Sequence, residues 1–328
     1  MSQTGIQHVG FIVLPQFALL SVASAIEPLR AANALAGQTL YEWRIYTIDG
    51  APALASCGAQ MTGAPLDALH AQEIPLDTVF VCTGGGPRDW QFPELAAHLS
   101  RLAQRGVRLG GLSGGAYVLA QCRLLANRRF TVHWEYVPAL REAFPTLEPE
   151  SARFVLDHDR ITCGGGVAAL DMMHALIAQR HGPAFARRVS DWYLHRQVDA
   201  SQAPQRASTT QRFQVHHPGL VAMLEKMQAT VGEPLSRQAM ARHVGISVRQ
   251  IDRLFASFLG RSYRQQYRQL RLAHARLLLE QSALSMTQVA MATGFNSATH
   301  FSRSFRAQFG VSPRQMRTGV IETSDEQA

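Results

Sequence analysis

The spacing of apolar residues changes character once along the chain, near residue 200. Before that point, short apolar runs alternate with stretches of helical spacing. The runs His8–Pro15, Trp43–Asp49, Thr78–Cys82, Val107–Leu112, Phe154–Asp157 and Arg160–Cys163 predict strands. Between them, apolar positions three and four apart predict helices at Ala18–Ala36, Pro93–Gln104, Gly115–Leu125, Tyr136–Phe144 and Val167–His181. Such alternation predicts an α/β sandwich, a mainly parallel sheet with helices on both faces. Beyond the change the pattern is helical throughout. Helices fit at about His217–Val231, Ser236–Val244, Val248–Leu259, Ser262–Gln281, Met286–Thr293, Ala298–Phe309 and Pro313–Arg317, an all-α domain.

The stretch between the two patterns, Ala200–His217 (ASQAPQRASTTQRFQVHH), is polar and poor in aliphatics, the composition of a linker. The expected division is therefore a first domain over 1–199, a linker over 200–217, a helical domain over 218–320 and a flexible tail over 321–328. A length of 328 residues and an apolar content of 46% suit two domains with real cores. No run of eighteen apolar residues occurs, so no transmembrane helix and no membrane partner are expected. The segment His8–Pro15 lacks the basic start and cleavage site of a signal peptide. Cys57, Cys82, Cys122 and Cys163 are widely spaced, with no CxxC and no clustered histidines. That spacing excludes the usual zinc sites, gives no disulfide framework and fits a cytoplasmic protein; no metal and no cofactor are expected.

Charge separates the two halves further. Residues 1–200 carry 16 Arg and 17 acidic residues, a net of −1, whereas residues 201–328 carry 15 Arg, one Lys and 7 acidic residues, a net of +9. A basic domain beside a near-neutral one suggests nucleic-acid binding attached to another task.

The basic half also contains an internal repeat. PLSRQAMARHVGISVRQIDRLFASFLG (Pro234–Gly260) aligns with ALSMTQVAMATGFNSATHFSRSFRAQFG (Ala283–Gly310). Leu-Ser, Ala-x-x-x-Gly and Arg-x-Phe recur in register. Two helices crossing through a short turn need small residues where they touch and glycine where φ is positive, which assigns Gly245 and Gly294 to the turns. Ser236 and Ser285 suit N-caps. In the second helix of each unit, Ile251, Leu254, Phe255 and Phe258, then Phe301, Phe305 and Phe309, point inward. The opposite faces carry Arg249, Gln250, Asp252 and Arg253, then Ala298, Thr299, His300, Ser302, Arg303 and Arg306, with Ser247 and Ser297 opening the two helices. Arg, Gln and small polar groups on one face match the groups of the major groove and phosphates.

From about Leu220 to Arg317 these residues closely resemble the AraC/XylS family of regulators, down to the closing GFNSATHFSRSFRAQFGVSPRQMR. The resemblance implies seven helices and double-stranded DNA as partner. Two of the helices would enter successive major grooves about 34 Å apart. It assigns Arg249, Asp252 and Arg253 to one groove and Ala298, Thr299, His300, Ser302 and Arg303 to the next. Asp252 and Ala298 are unusual choices for direct readout.

In the first half, GLSGGAYVLAQ (Gly111–Gln121) runs from an apolar strand into Ser113, Gly114 and a helix. This has the form of a nucleophile elbow, a tight turn that exposes one side chain above the sheet. Gly84, Gly85 and Gly86 follow another strand and could offer amides to an anion. His133 and Trp134 come after the elbow helix, and Glu27 lies in IEPLRAAN. Each also has a packing explanation. Ser113 can be a small residue at a turn, His133 a core hydrogen-bonder, Glu27 a partner of Arg30, and Trp134 and Trp90 ordinary packing. Gly164–Gly166 can be a tight turn or a second anion loop, and Asp171 can fix a neighbouring loop.

From His8 to Arg196 the chain resembles the class-I glutamine-amidotransferase-like superfamily in its intracellular-protease branch, which implies a flavodoxin-like sandwich. With the AraC/XylS half, the whole resembles the GlxA-type regulators. Enzymes of the superfamily carry Cys at the elbow beside His and near Glu; here the elbow carries Ser113, which argues against that chemistry. The expectation is a ligand-sensing domain that is not an enzyme, the alternative an amidase- or protease-like serine hydrolase with Ser113, His133 and Glu27 as vestigial catalytic positions. Ligand-site candidates are Glu27, Gly84, Gly85, Gly86, Ser113, Gly114, His133 and Trp134. Glycine amides favour a carboxylate; a glutamate and a tryptophan favour a cation. The resemblance implies a small zwitterion such as glycine betaine, carnitine or a related amino acid, activation of catabolic genes, RNA polymerase as partner and a homodimer.

Overall fold

The computed structural model describes residues 5–71 and 74–318, and its contacts divide the chain between Gln205 and Arg206. The expected tail, 321–328, lies outside the described residues. The first unit contains β1 (Gln7–Val13), α1 (Leu19–Ala36), β2 (Tyr41–Thr47), the short pair β3 (Ala53–Leu54) and β4 (Gln60–Met61), β5 (Ala64–Pro65) and β6 (Thr78–Thr83). It continues through α2 (Pro93–Gln104), β7 (Arg108–Ser113), α3 (Gly115–Gln121), α4 (Val137–Ala143), β8 (Phe154–Asp157), β9 (Arg160–Cys163), α5 (Ala168–His181) and α6 (Pro183–Trp192).

Seven strands form one sheet in the order β5-β2-β1-β6-β7-β9-β8, parallel except at β8–β9. Its five central parallel strands follow the flavodoxin order. All six residues of β6 are buried, as expected of a central strand covered on both faces. The pleat of β1 sorts its side chains. Phe11 and Val13 join a core with Leu29 of α1 and Met172 and Ile177 of α5. Ile12 joins Leu95 of α2, Leu119 of α3 and Leu140 of α4. Each such side chain contributes about 1.5–3 kcal/mol by leaving water. Gly110 of β7 is required by this packing, because a Cβ there would fall 2.2 Å from the ring of Phe80.

The structure departs from the sequence expectation in a few places. β2 begins at Tyr41 because Asn33 Oδ1 accepts from the amides of Leu40 (2.8 Å) and Tyr41 (3.0 Å) and draws that end into line. The helix expected over Gly115–Leu125 ends at Gln121, and Arg123 follows at φ 59. α6 was not expected. Gly182 (φ 87) and Pro183 look like a stop, yet the proline occupies the first turn of a new helix, where its missing N–H costs nothing.

After α6 the chain returns across the unit, pinned by Asp171 of α5. This carboxylate is fully buried and meets Arg153 Nη2 at 2.6 Å, His195 Nε2 at 2.7 Å and the Asp199 amide at 3.1 Å. Ser201 accepts from the Arg153 amide at 2.8 Å. Asp171 thus fixes a neighbouring segment, 195–201.

The second unit is helical: α7 (Thr209–Phe213), α8 (Pro218–Ala229), α9 (Arg237–Val244), α10 (Val248–Leu259), α11 (Tyr263–Gln281), α12 (Met286–Ala292), α13 (Ala298–Phe309) and α14 (Pro313–Thr318). The stretch 200–217, read as a linker, contains α7, closed by a capping box at Ser208 and Gln211, and Val215 is buried in the unit's core. Polar composition hid this because capping residues are polar. The unit has two cores. One joins α8, α9, α10 and Tyr263 and Tyr267 of α11; the other joins Leu272, Ala275, Leu278 and Leu279 of α11 to Val289, Phe301 and Phe305.

Replacing Asp171 by alanine leaves Arg153 and His195 facing an empty socket, and should cost about 3–5 kcal/mol, the loss seen when one partner of a buried ion pair is removed. All four tryptophans lie in the first unit, so urea unfolding followed by their fluorescence isolates the effect. A loss below about 1 kcal/mol, the size of an exposed pair, would show that the network does not hold the segment.

Candidate nucleic-acid interface and sensor site

In the second unit each helix pair is built as the repeat predicts. Ser236 Oγ accepts from the Ala239 amide (3.1 Å) and Ser285 Oγ from the Gln288 amide (3.2 Å), capping α9 and α12. Ala241 and Ala290 are buried where the helices cross. Gly245 and Gly294 turn the chain at φ 72 and 73. α10 buries Ile251, Leu254 and Phe255, and α13 buries Phe301 and Phe305, with Phe309 half-buried against them. Phe258, expected inward, is instead 51% exposed, its ring 5.8 Å from that of His217. It lies at the end of α10, beyond the part of the helix that packs on the core.

The outward faces sort into two groups. Arg249, Arg253, Thr299, His300, Arg303 and Arg306 are exposed. The other positions are engaged within the unit or half-buried. Ser247 and Gln250 form the capping box of α10, the Gln250 carboxamide accepting from the Ser247 amide at 2.8 Å. Ser297 accepts from the His300 amide at 3.4 Å. Asp252 is paired with Arg237 of α9 at 2.8 Å, so it braces α10 against α9. Ala298 and Ser302 are half-buried. Sequence reasoning passed over a groove of about 410 Å³ lined by Arg237, Arg264, Arg268, Arg271 and His300. The spacing of arginines on α11 was the available signal. Arg271 is anchored there by its bond to the Thr293 carbonyl (2.6 Å), and its guanidinium lies 4.0 Å from the centre of the Phe295 ring.

In the first unit, loops at the carboxyl ends of β1, β6, β7 and β9 converge on Ser113. This is where a doubly wound sheet reverses its strand order and binds ligands. Ser113 has φ 58, a conformation that a non-glycine residue adopts only under constraint. The constraint is close packing of the flanking glycines. A Cβ at Gly114 would fall 2.3 Å from Trp90, one at Gly115 2.0 Å from the Val81 carbonyl oxygen, and one at Gly165 2.8 Å from both Ser113 Cβ and Ser21 Oγ. Trp90 is buried beneath the elbow, edge-on to Tyr117 and Tyr136, and its Nε1 donates to the Gly84 carbonyl at 2.8 Å.

The Ser113 hydroxyl shares a hydrogen bond with the Tyr136 hydroxyl, which donates to the Gly85 carbonyl at 3.0 Å. Burial, then the nearby Glu135 carboxylate, push the Tyr136 phenol up to about 12. It stays protonated at neutral pH and supplies a donor rather than a base. The His133 amide donates to the Ser113 carbonyl (3.3 Å), and its Nδ1 lies 3.8 Å from the Glu135 carboxylate. Trp134 is half-buried, its ring 5.3 Å from that of His133.

Two expectations change here. Glu27 does not turn toward the elbow. Its carboxylate pairs with Arg30 at 2.7 Å and meets the Tyr193 hydroxyl at 3.2 Å, two turns of α1 away from the elbow. The α1 residue at the elbow is Ser21, whose Oγ accepts from the Gly166 amide at 2.7 Å. Gly164–Gly166 is a structural turn, since its three amides are spent on the Arg153 carbonyl, Cys163 Sγ and Ser21 Oγ. By contrast, among the described residues no hydrogen bond engages the amides of Gly85 and Gly86.

Gln205, where the chain leaves this unit, is seated behind the same turn. Its Nε2 donates to Thr131 Oγ1 (2.9 Å), the Val132 carbonyl (3.0 Å) and the Ala152 carbonyl (2.7 Å), and its Oε1 accepts from the Trp134 amide (2.8 Å). A Cβ on Gly164 would strike its carboxamide at 2.6 Å.

Comparison with known proteins extends these observations. A helix-turn-helix domain model matches residues 240–319. The chain is 51% identical to the HTH-type transcriptional regulator GlxA of Rhizobium meliloti, over 95% of this chain and 96% of that one. The crystal structure of an AraC family transcriptional regulator from Pseudomonas putida matches 57% of this chain and 99% of its own, with TM-score 0.52 and 28% identity. A ThiJ/PfpI family protein from Pseudomonas syringae matches 81% of this chain and 90% of its own, with TM-score 0.50 and 17% identity, a likeness of fold alone. The chain is accordingly a DNA-binding transcription regulator and not an enzyme, and it belongs to the GlxA-type family of helix-turn-helix regulators.

Proposed function

We propose that this regulator is an activator switched by a small zwitterion bound at the Ser113 elbow. One observation carries the reading. The strained elbow is retained, with φ 58 at Ser113, while its hydroxyl is committed to a phenol that stays protonated. A serine hydrolase needs a base on that hydroxyl; a binding site needs only the shape. The amides of Gly85 and Gly86 suit a carboxylate. The Trp134 ring and the Glu135 carboxylate, on either side of His133, suit a cationic head. Glu27 plays no part, being held by Arg30. Glycine betaine, carnitine and related amino acids have this chemistry, and the GlxA-type resemblance supports control of genes that degrade the effector. It also supports a homodimer and contact with RNA polymerase. Four free thiols fit a cytoplasmic setting.

On DNA, Arg249 and Arg253 of α10 and Thr299, His300, Arg303 and Arg306 of α13 make the contacts, one helix in each of two successive major grooves. Ser247, Gln250, Ser297 and Asp252 shape the helices that carry them. The effector acts through Gln205. Any ligand that moves the Trp134 amide or the turn at Gly164 disturbs its hydrogen bonds, and the next residue belongs to the DNA-binding unit.

Calorimetric titration of the full-length protein with glycine betaine, carnitine, dimethylglycine and arginine should give saturable binding for at least one. Silence with all four, from folded protein, would remove the zwitterion reading. In gel-shift titrations on the native operator, Arg253→Ala should weaken binding by about 1–3 kcal/mol, the loss of one base or phosphate contact, and Ala298→Ser by a few tenths. Equal effects would contradict the assignment of contacts. Gln205→Ala should leave DNA affinity without effector within about twofold and reduce the response to effector, because it removes a link and no DNA contact. An unchanged induction ratio in a reporter assay would show that the signal bypasses Gln205.

A further inference from the structure

A cavity of about 1010 Å³ opens at the end of the sheet opposite Ser113, among the amino ends of the strands. Gln7, Tyr41, Thr78 and Arg108, which open β1, β2, β6 and β7, all line it. Its inner wall is apolar, made by the buried side chains of Val9, Leu29, Phe80 and Met173. Its volume suits a small organic ligand.

Charge in the cavity is one-sided. Three arginines line it, Arg105, Arg108 and Arg180, against one carboxylate, that of Asp77. One oxygen of Asp77 is already spent on the His8 amide at 2.8 Å. Arg108 is half-buried, and its Nη2 reaches Gln7 Oε1 only at 3.5 Å. A guanidinium so placed has surrendered water for one long hydrogen bond, an arrangement an incoming anion improves. Burial first, and also the neighbouring Arg180, pull Arg108 below the usual arginine value. Burial pushes the Tyr41 phenol up to about 12, against the pull of both Arg180 and Arg108. Both guanidiniums therefore lie within reach of one protonated hydroxyl. His70, held down by burial and by Arg101, adds no negative charge.

We propose that this cavity is a second ligand site, for an amphipathic organic anion whose carboxylate meets Arg108, Arg180 and the Tyr41 hydroxyl while its apolar body lies against Val9, Leu29, Phe80 and Met173. Both halves of the ligand are needed. The wall offers nothing to an inorganic anion, and the arginines offer nothing to a neutral chain. The site is separate from the elbow, at the opposite end of the strands. α1 and α5 run from one to the other, with Ser21 near the start of α1 and Arg180 at the end of α5.

The test is calorimetric titration of the full-length protein with sodium octanoate, beside 1-octanol and inorganic phosphate. Octanoate should bind saturably, one molecule per chain, and more tightly than either control. The Arg108→Ala/Arg180→Ala double variant should lose at least about tenfold in affinity, as expected for charge-assisted hydrogen bonds. Tyr41→Phe should lose about threefold, and serves alone if the double variant fails to fold. Ser113→Ala should bind octanoate as the parent does. The proposal is overturned by absence of saturable binding, by octanol or phosphate binding as tightly as octanoate, or by folded variants of Arg108, Arg180 and Tyr41 that bind octanoate unchanged.

Discussion

The reading of DNA by this protein depends on one helix that is buried twice. α11 is 19 residues long and spans about 28 Å. Its first turns belong to one core through Tyr263 and Tyr267, and its later turns to another through Leu272, Ala275, Leu278 and Leu279. Two helix pairs on a flexible tether would pay an ordering cost each time they met DNA. On a continuous helix that cost is met during folding. The remaining details of the unit follow from this. Tyr263 donates to the Leu235 carbonyl at 2.9 Å, and Arg271 ties the helix to the Thr293 carbonyl at 2.6 Å. Each helix pair is therefore attached to α11 by a polar bond as well as by its core.

The first unit shows geometry outlasting chemistry. A strained serine at a tight strand-to-helix turn costs on the order of 1–3 kcal/mol and is held in place by neighbours that leave room only for glycine. In a hydrolase that strain aims a nucleophile at a substrate. Here the hydroxyl is turned to Tyr136, and the α1 residue beside it is Ser21, which is spent on the Gly166 amide. What remains is a polar recess of fixed shape at the point where the strand order reverses. Such a recess suits a sensor, because every group around it already has a defined partner that a ligand can displace or imitate.

Much of this was legible in the sequence, for physical reasons that also explain the gaps. The sheet, its flavodoxin-like order and the elbow could be read because buried parallel strands are continuous apolar runs and because Ser113 stands among glycines. The repeated helix pairs could be read because Ala241, Gly245, Ala290 and Gly294 recur in register. The failures share one cause: sequence reports residue type but not which neighbour a side chain has already satisfied. Gln250 and Asp252 look like base readers and are occupied by Ser247 and Arg237. Glu27 looks like a pocket acid and is occupied by Arg30. Gln205 looks like part of a polar linker, yet its carboxamide makes four bonds within the first unit. Polar residues were misjudged more often than apolar ones because burial is a property of one residue, whereas a hydrogen bond is a property of a pair.

That last residue bears on how a regulator with two independent cores can be switched at all. Each unit has the apolar packing to stand by itself, so a ligand in one changes nothing in the other unless some element has two energetically distinct arrangements. Coupling between sites amounts typically to 1–3 kcal/mol. A carboxamide with four partners is an element of that scale, since each net hydrogen bond contributes about 0.5–1.5 kcal/mol. One of its partners is the amide of Trp134, next to the His133 that bonds the Ser113 carbonyl. The elbow and the chain's exit are therefore separated by two hydrogen bonds and one peptide unit. A sensor of this design needs no large motion. It needs only a ligand whose bonds at His133 and Trp134 compete with those that hold Gln205.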